Sequence, residues 1–593
     1  MNGSACGDRG VSCGGVVLSA ARVWRGMRSP ASDYSRIAGI QSGMVRHRDL
    51  QARSAPQPSD ARKTRQPVSG FERFLPALLI LIVLGVYALA MGAEFIGWDD
   101  PTNVPDNPVL KLPGTQAIAR FWSGPYDKLY IPVTYSVWTI LAAVGTVNTP
   151  SGGVEFNPFI FHAANVILHA LATVLVYQIL RLRIRNAWAC AAGALLFAVH
   201  PVQVEAVAWV TAMKDVLSGA LALGAVWLFM LAVESVNGLA DGKHFDPDPD
   251  SSHRPIRWGT YIFSLLLFSL SLLAKPSAVA AIPIVLILYW LGSDRRWKLV
   301  GALLLPWVAL ALADVLVTHA VQPIATPADG GRWWLRPLIA GDALAFYLYK
   351  LFIPIRLGLF YGRTPSAIIE NRAIWFTWIA PMLVFGAIAW VGRKRRWPIA
   401  SALLLIAGAL PVLGLVPFTF QAYSTVADHY LYLSMLGPAL ALAVILSIAG
   451  IVRTKAVILR WGASVALLIL AGLTIAQTRY WHDSTTLFSH AYAVNPHSGE
   501  AAILLAGQYN TAGDAQDALL WVDRAAPNVP KSNGSQSVLH STRASALLNE
   551  HRYNEAEREL ETAIQLDPTN QLARYNLDVL REKRARGTLG TSR

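Results

Sequence analysis

The sequence predicts an all-α protein in two parts, a polytopic membrane domain of about eleven transmembrane helices followed by an extracytoplasmic array of paired helices. Three observations carry this. Of 593 residues 54% are hydrophobic and only 15% charged. The apolar residues fall in blocks approaching the ~20 residues that cross a bilayer. The blocks stop near residue 476, where a helical repeat takes over.

The first block, "FLPALLILIVLGVYALAMG" (74–92), reads as a retained span, because the chain before it lacks the order of a signal peptide. Residues 1–73 hold 12 Arg/Lys against 5 Asp/Glu, or +7 of the net +14. This is expected to be a basic, disordered cytoplasmic leader, with Met44 as an alternative start, and the charge distribution argues against nucleic acid as a partner. Cys6, Cys13 and Cys190 form no disulfide framework and suggest neither redox nor metal chemistry.

Further blocks lie at 158–180, 187–199, 216–233, 258–273, 277–292, 298–317, 340–354, 374–391, 398–416, 434–451 and 457–476, twelve with the first. Short cytoplasmic loops should carry the Lys and Arg. With the N-terminus inside, "RLRIR" (181–185) and "SDRRWK" (293–298) fall inside, but "GRKRRW" (392–397) falls outside if all twelve cross. The block 340–354, which contains Asp342 and Lys350 and ends at Pro354, is therefore assigned to an interfacial or re-entrant helix on the outer face. Eleven spans then place five polar stretches outside: 93–157, 200–215, the turn at Lys275, 318–373 and 419–434. Their convergence on one face predicts an active site, and the lack of paired interrupted helices in matching halves disfavours a transporter.

From Gly499, Ala506, Tyr509, Gly513, Ala518, Ala525 and Pro530 stand at the offsets of a tetratricopeptide repeat. Ala544, Ala556, Leu560, Ala563 and Pro568 repeat the pattern. Pro496 to Pro530 is 34 residues and Pro530 to Pro568 is 38, which allows a four-residue insertion near "NGSQ". "LFSHAYAVNP" (487–496) reads as the second helix of a partial unit, and "LARYNLDVLREK" (572–583) as a capping helix. The expected domains are the leader 1–73, the membrane domain 74–476, the repeats 477–585 and a disordered tail 586–593.

Several polar residues stand out at the outer membrane face. Asp99 and Asp100 follow the first span directly, and adjacent like charges there push one pKa upward, toward useful basicity. The alternative is a turn aspartate before Pro101 with a solvated neighbour. Lys214 and Lys275 are candidate cations, the alternatives being that Lys214 pairs with Asp215 and that Lys275 snorkels. Glu205 either binds a substrate or caps a helix. Its spacing of five from His200 does not set up a metal pair. His162, Asn165 and His169 share a helical face and read as an interhelical hydrogen-bonding stripe. Tyr430 and Tyr432, after Asp428 and His429, either stack on a sugar or, more in keeping with their place, anchor at the membrane interface.

The order "GWDDP", "FIFHAANVILHALATVLVY", "LLFAVHPVQVEAVAWVTAMKD", "LLAKPSAVAAIPIVLILY", "ADHYLYLSMLG", "RYWHDSTTLFSHAYAVNP" and then the repeats resembles the transmembrane and tetratricopeptide repeat-containing family over roughly residues 74–580. That resemblance implies a GT-C glycosyltransferase, an inverting enzyme that takes a sugar, mannose-like hexose favoured, from a polyprenyl-phosphate donor on the extracytoplasmic face. Its acceptor would be a protein hydroxyl or a cell-envelope glycan, with the repeats expected to recruit it. It implies a catalytic base in the first external loop, where Asp99 and Asp100 stand, and a Mn²⁺ or Mg²⁺ ion there in some subfamilies. Substrate-binding roles are expected of His200, Glu205, Lys214, Asp215, Lys275, Asp428, His429 and Tyr430, since the leaving phosphate needs cations or donors. The chain has His429, Ile131 and Met213 where the family's segments usually carry Arg. The competing class is a non-catalytic membrane scaffold presenting the repeats to periplasmic partners. The Arg- and Ala-rich composition favours a bacterial inner membrane.

Overall fold

The computed structural model describes residues 70, 72–148, 153–233, 255–292, 296–322, 332–449 and 453–587. The expected leader up to residue 69, the tail from 588 and residues 293–295 of the expected cytoplasmic loop lie outside the described residues. The described chain is almost wholly helical, the exception being a small antiparallel pair, Thr146–Asn148 with Val154–Phe156, that sets Val147 opposite Glu155.

Five helices among the described residues are long and apolar enough to cross a membrane: Pro158–Arg181, Met213–Val233, Trp297–Val321, Ala373–Gly392 and Val457–Trp481. A sixth candidate is bent by 53° between Ala187–Val199 and Pro201–Ala208, and five shorter apolar helices accompany them. Local chemistry sets their starts. Asn157 accepts from the Phe159 N–H and Asn186 from the Ala189 N–H, each satisfying a donor that the first turn leaves unpaired, and Pro158 takes the first helical position, where no N–H is needed. The Val457–Trp481 helix turns Ile458, Trp461 and Leu468 outward, each at least 70% exposed. Such a surface has no favourable place in water and identifies the face toward lipid.

Two glycines let the helices pack. Gly437, in Leu436–Ala449, lies where a Cβ would meet the Ser401 carbonyl oxygen, and Gly408, in Arg396–Ala409, where it would meet the Ser434 nitrogen. In lipid, where apolar side chains gain little from leaving their surroundings, such close backbone approach is a main source of helix association.

One expectation is corrected here. The stretch 93–157 was expected to be one external loop, but it contains the amphipathic helix Gly114–Ser123 and the apolar helix Pro132–Gly145, which buries Tyr135, Trp138 and Ala142. Its 14 residues, broken by Thr and Ser, fall short of a span and hid it. In the block 340–354, the helix Arg336–Phe352 turns its charges inward: Asp342 pairs with Arg363, and Lys350 Nζ donates to the carbonyls of Ile355 and Arg356 at 2.9 and 2.8 Å.

After residue 481 the surface becomes that of a soluble helical protein. Six helices, Ser484–Val494, Gly499–Ala512, Ala515–Ala525, Asn533–Asn549, Tyr553–Leu566 and Gln571–Ala585, each pack on the next. Small buried residues line the crossings, among them Ala502, Ala506, Ala525, Ala544 and Ala563. Gly513, at φ +80°, ends the Gly499–Ala512 helix in the left-handed conformation that favours glycine. The "NGSQ" insertion is taken up as the first turn of Asn533–Asn549, which Ser532 caps.

Replacing Gly437 or Gly408 by Ala should destabilise the membrane domain by about 1–3 kcal/mol. Gly462→Ala, with open space around it, should leave the thermal midpoint in detergent unchanged or raised. Equal midpoints for all three would overturn the packing account.

Candidate active site

The turn after the first apolar helix is built around Asp100. Its side chain is fully buried, and its oxygens accept from the Ile96 N–H at 2.8 Å, the Thr211 N–H at 2.9 Å and the Thr211 hydroxyl at 2.5 Å. Burial is the largest influence on this carboxyl and lifts its pKa to about 6, while the three donors pull the other way. Asp99, the preceding residue, is held differently. Its backbone carbonyl accepts from Asn103 Nδ2 at 2.8 Å, but its carboxylate accepts no hydrogen bond among the described residues. Burial raises the Asp99 pKa, Lys214 and His429 oppose that rise, and Asp127 adds to it.

Aromatic rings floor the turn. Trp98 stacks on Trp209 with centroids 5.3 Å apart and planes 9° from parallel, and Phe360, Phe420 and Tyr423 surround it. Lys214 lies over the Trp209 ring at 5.7 Å. The expected alternative pairing of Lys214 with Asp215 is not what forms: Lys275 Nζ bonds Asp215 Oδ1 and also sits 5.8 Å from the Tyr430 ring. Lys214 at the first turn of Met213–Val233 points toward Asp99 and Trp209, whereas Asp215 meets the neighbouring helix end.

A second carboxylate organises the 427–430 turn. Glu205 Oε2 accepts from the Asp428 N–H at 2.9 Å, and Oε1 lies 2.7 Å from His429 Nδ1. Asp428 is itself clasped by the Tyr361 hydroxyl, 2.9 and 2.8 Å from its two oxygens, and burial holds the Asp428 pKa well above the carboxylate range. Asp215, Ser218, Ser277, His429, Tyr430 and Tyr432 then line a narrow crevice.

The structure thus brings Asp99, Asp100, Glu205, Lys214, Asp215, Lys275, Asp428, His429 and Tyr430 into one connected network. His200 stands apart from this network: Nε2 lies 3.0 Å from the Leu351 carbonyl and Nδ1 accepts from the Val202 N–H at the bend between two helices. Tyr432 does not anchor at an interface. It is buried, with its hydroxyl 3.0 Å from His169 Nδ1. The polar stripe forms as expected, with Asn165 Nδ2 donating to the Trp209 carbonyl at 2.8 Å and His169 Nε2 lying 3.0 Å from the Ala198 carbonyl. Ile131 and Met213, at the positions where resemblance implied arginines, are buried in an apolar cluster.

The donor set was tested for a divalent metal. Both Asp100 oxygens are occupied, and no group of three or more His, Cys, Asp or Glu able to hold an ion occurs among the described residues. The turn thus offers a divalent ion the free Asp99 carboxylate and no cluster of protein ligands among the described residues. Sequence reasoning missed Thr211, Tyr361 and the Trp98–Trp209 stack. Thr211 lies inside the quoted "VTAMKD", but nothing local marks it as the partner of an aspartate 111 positions earlier.

No family model matches the sequence. A protein O-mannosyl-transferase of Caenorhabditis elegans is 24% identical over 438 residues, which cover 71% of this chain and 58% of that protein. The Homo sapiens protein O-mannosyl-transferase TMTC1 is 35% identical over 150 residues, 25% of this chain and 16% of that protein, and Drosophila melanogaster Tmtc2 is 28% identical over 201 residues, 33% and 19%. The chain spans less than two thirds of the length of these relatives. A crystal structure of the Archaeoglobus fulgidus oligosaccharyltransferase aligns with a TM-score of 0.40 at 15% identity, covering 69% of this chain and 56% of that one. The family resemblance carried by the sequence motifs is borne out by the names of these relatives.

Asp100→Ala leaves the Ile96 and Thr211 donors without an acceptor and should cost about 2–4 kcal/mol. Asp99→Ala should be close to neutral for folding. Because burial raises the folded-state pKa of Asp100 to about 6, its contribution to stability is full below the ordinary value of 3.8 and is lost as pH rises through about 6. Thermal midpoints in detergent between pH 4 and 7 should therefore fall less steeply with rising pH in Asp100→Asn than in the parent. Identical slopes would remove Asp100 from this account.

Proposed function

We propose that this chain, a relative of the protein O-mannosyl-transferases, is a membrane glycosyltransferase that moves a mannose-like hexose from a polyprenyl-phosphate donor to a protein hydroxyl or an envelope glycan. The observation that carries the reading is the contrast between the adjacent aspartates: one saturated by hydrogen bonds, the other buried enough to be basic and left free beside Lys214.

In this reading Asp99 is the catalytic base. It removes the proton from the acceptor hydroxyl as that oxygen attacks the anomeric carbon, and the bond to the phosphate oxygen breaks with inversion. The leaving phosphate needs positive charge, which Lys214 supplies from over Trp209 and Lys275 from the crevice, while His429 is oriented by Glu205. Asp428 and Glu205 act as positioning residues for this wall. Tyr430 and the Trp98 cluster offer faces on which a sugar ring stacks. Eleven spans would set these groups on the extracytoplasmic face, with the six outer helices acting as tetratricopeptide-type repeats that hold the acceptor. No step is routed through a metal ion.

The test is sugar transfer by purified protein from radiolabelled polyprenyl-phosphate mannose and glucose to a membrane-protein extract. Asp99→Asn should fold and lose about 10²–10⁴ of the rate. In the parent the rate should climb with pH through a midpoint above the ordinary aspartate value, since burial raises the pKa of Asp99 and the base acts only when deprotonated. Chelation with EDTA should leave the rate unchanged. A folded Asp99→Asn protein that transfers sugar at the parent's rate refutes the assignment, and absent transfer together with absent donor binding favours the scaffold.

A further inference from the structure

The stretch "RYWHDSTTLF" (479–488), which leads from the last apolar helix into the outer helices, takes no part in the chemistry above. We propose that it is a positioning element for Asp99, in which the Ser484 hydroxyl, by holding Gly97, fixes the turn that carries the carboxylate. The inference rests on Asp99 being the base.

The turn is restrained from two sides. From within, Asp100 gathers the Ile96 and Thr211 amides. From outside, the Gly97 N–H donates to Ser484 Oγ at 2.8 Å and the Glu94 N–H donates to the His482 carbonyl at 2.8 Å, across 387 residues of sequence in the first case. Gly97 is only two residues from Asp99. The Asp99 carboxylate has no hydrogen bond of its own among the described residues, so the backbone of the turn must set its direction.

Ser484 is free to do this because its own helix does not need it. The cap of Ser484–Val494 is Asp483, whose carboxylate accepts from the Thr486 N–H and hydroxyl, both at 2.8 Å. The Ser484 hydroxyl is buried and its recorded contact is with Gly97. The approach is close: a Cβ on Gly97 would lie 3.0 Å from Gln508 Nε2 and 3.3 Å from Ser484 Oγ. Trp481 lies against Trp209, centroids 6.2 Å apart, and so backs the ring on which Trp98 stacks. One short segment therefore touches the turn at Glu94 and Gly97 and backs its aromatic floor.

The experiment uses full-length protein in detergent, comparing the parent with Ser484→Ala, Ser484→Thr, Gly97→Ala and, as control, Thr486→Ala. Ser484→Ala should lower kcat about tenfold, consistent with a small misplacement of a reacting group, while KM for polyprenyl-phosphate mannose stays within about twofold. The midpoint of the rising limb of the kcat–pH profile should shift, and Ser484→Thr, which keeps the hydroxyl, should restore it. Independently of activity, amide hydrogen exchange in residues 96–104 should quicken in Ser484→Ala and Gly97→Ala but not in Thr486→Ala. Parent-like kcat and pH profile in Ser484→Ala, or unchanged exchange in the turn, overturns the proposal. A parent that transfers no sugar refutes the transferase reading instead, and the exchange data alone then decide whether Ser484 fixes the turn. If Ser484→Ala does not fold, Gly97→Ala carries the same kinetic and exchange outcomes.

Discussion

The site depends on one carboxylate withdrawn completely from solvent. Burying Asp100 is costly unless it is hydrogen-bonded, and its donors come from two places far apart in sequence, Ile96 beside it and Thr211, 111 residues after it. That requirement ties the end of the first apolar helix to the start of Met213–Val233. Everything downstream inherits the tie: Lys214 reaches the turn because Thr211 is fixed, Asp215 on the next position meets Lys275, and Lys275 lies against Tyr430. Glu205 repeats the device on the opposite wall, using both oxygens to hold Asp428 and His429.

Two adjacent aspartates with the same intrinsic chemistry are thus separated by their surroundings. Asp100 commits both of its oxygens to structure, accepting from the Ile96 N–H and from the Thr211 N–H and hydroxyl. Asp99 is buried enough for the charged form to be disfavoured and is not compensated by hydrogen bonds, which is how a carboxylate becomes a stronger base. The placement of the saturated partner directly after the free one gives the free one a rigid backbone without occupying its side chain.

The parts of this arrangement legible in the sequence were those that obey a period or a length. Apolar blocks marked most long helices, and the spacing of small residues marked the outer pairs, because helix crossing and bilayer thickness both leave regular patterns. Convergence of the polar loops could be argued from basic residues alone, and hydrogen bonds join Asp100 to Thr211, Asp215 to Lys275 and Glu205 to Asp428. What was not legible was partner choice. Asp215 turns to Lys275 and not to its neighbour Lys214, since adjacent residues on a helix point about a hundred degrees apart. His200 is consumed by a backbone carbonyl, and Tyr432 by His169, for reasons that lie in tertiary contacts. The Pro132–Gly145 helix escaped notice because its brevity and hydroxyl side chains resemble a loop, although its hydroxyls bond backbone carbonyls: Thr134 the Ala274 carbonyl and Thr139 that of Tyr135.

The junction at 479–484 shows why the outer helices and the membrane domain are hard to treat as separable. A helix whose surface is apolar on nearly every side must end abruptly where water begins, and the polar residues that end it have backbone groups needing partners. Here those groups and the turn after the first apolar helix satisfy one another: the His482 carbonyl takes the Glu94 N–H and the Ser484 hydroxyl takes the Gly97 N–H. Further along, Asn495 Nδ2 donates to the Phe360 carbonyl, and His490 Nε2 lies 2.7 Å from the Leu357 carbonyl, so a second external segment is fastened to the same outer helix. Backbone N–H groups at Glu94 and Gly97 and backbone carbonyls at Leu357 and Phe360 are thus met by Ser484–Val494 and its flanking residues, and two segments flanking the aromatic floor are held by a part of the chain that lies after the last apolar helix.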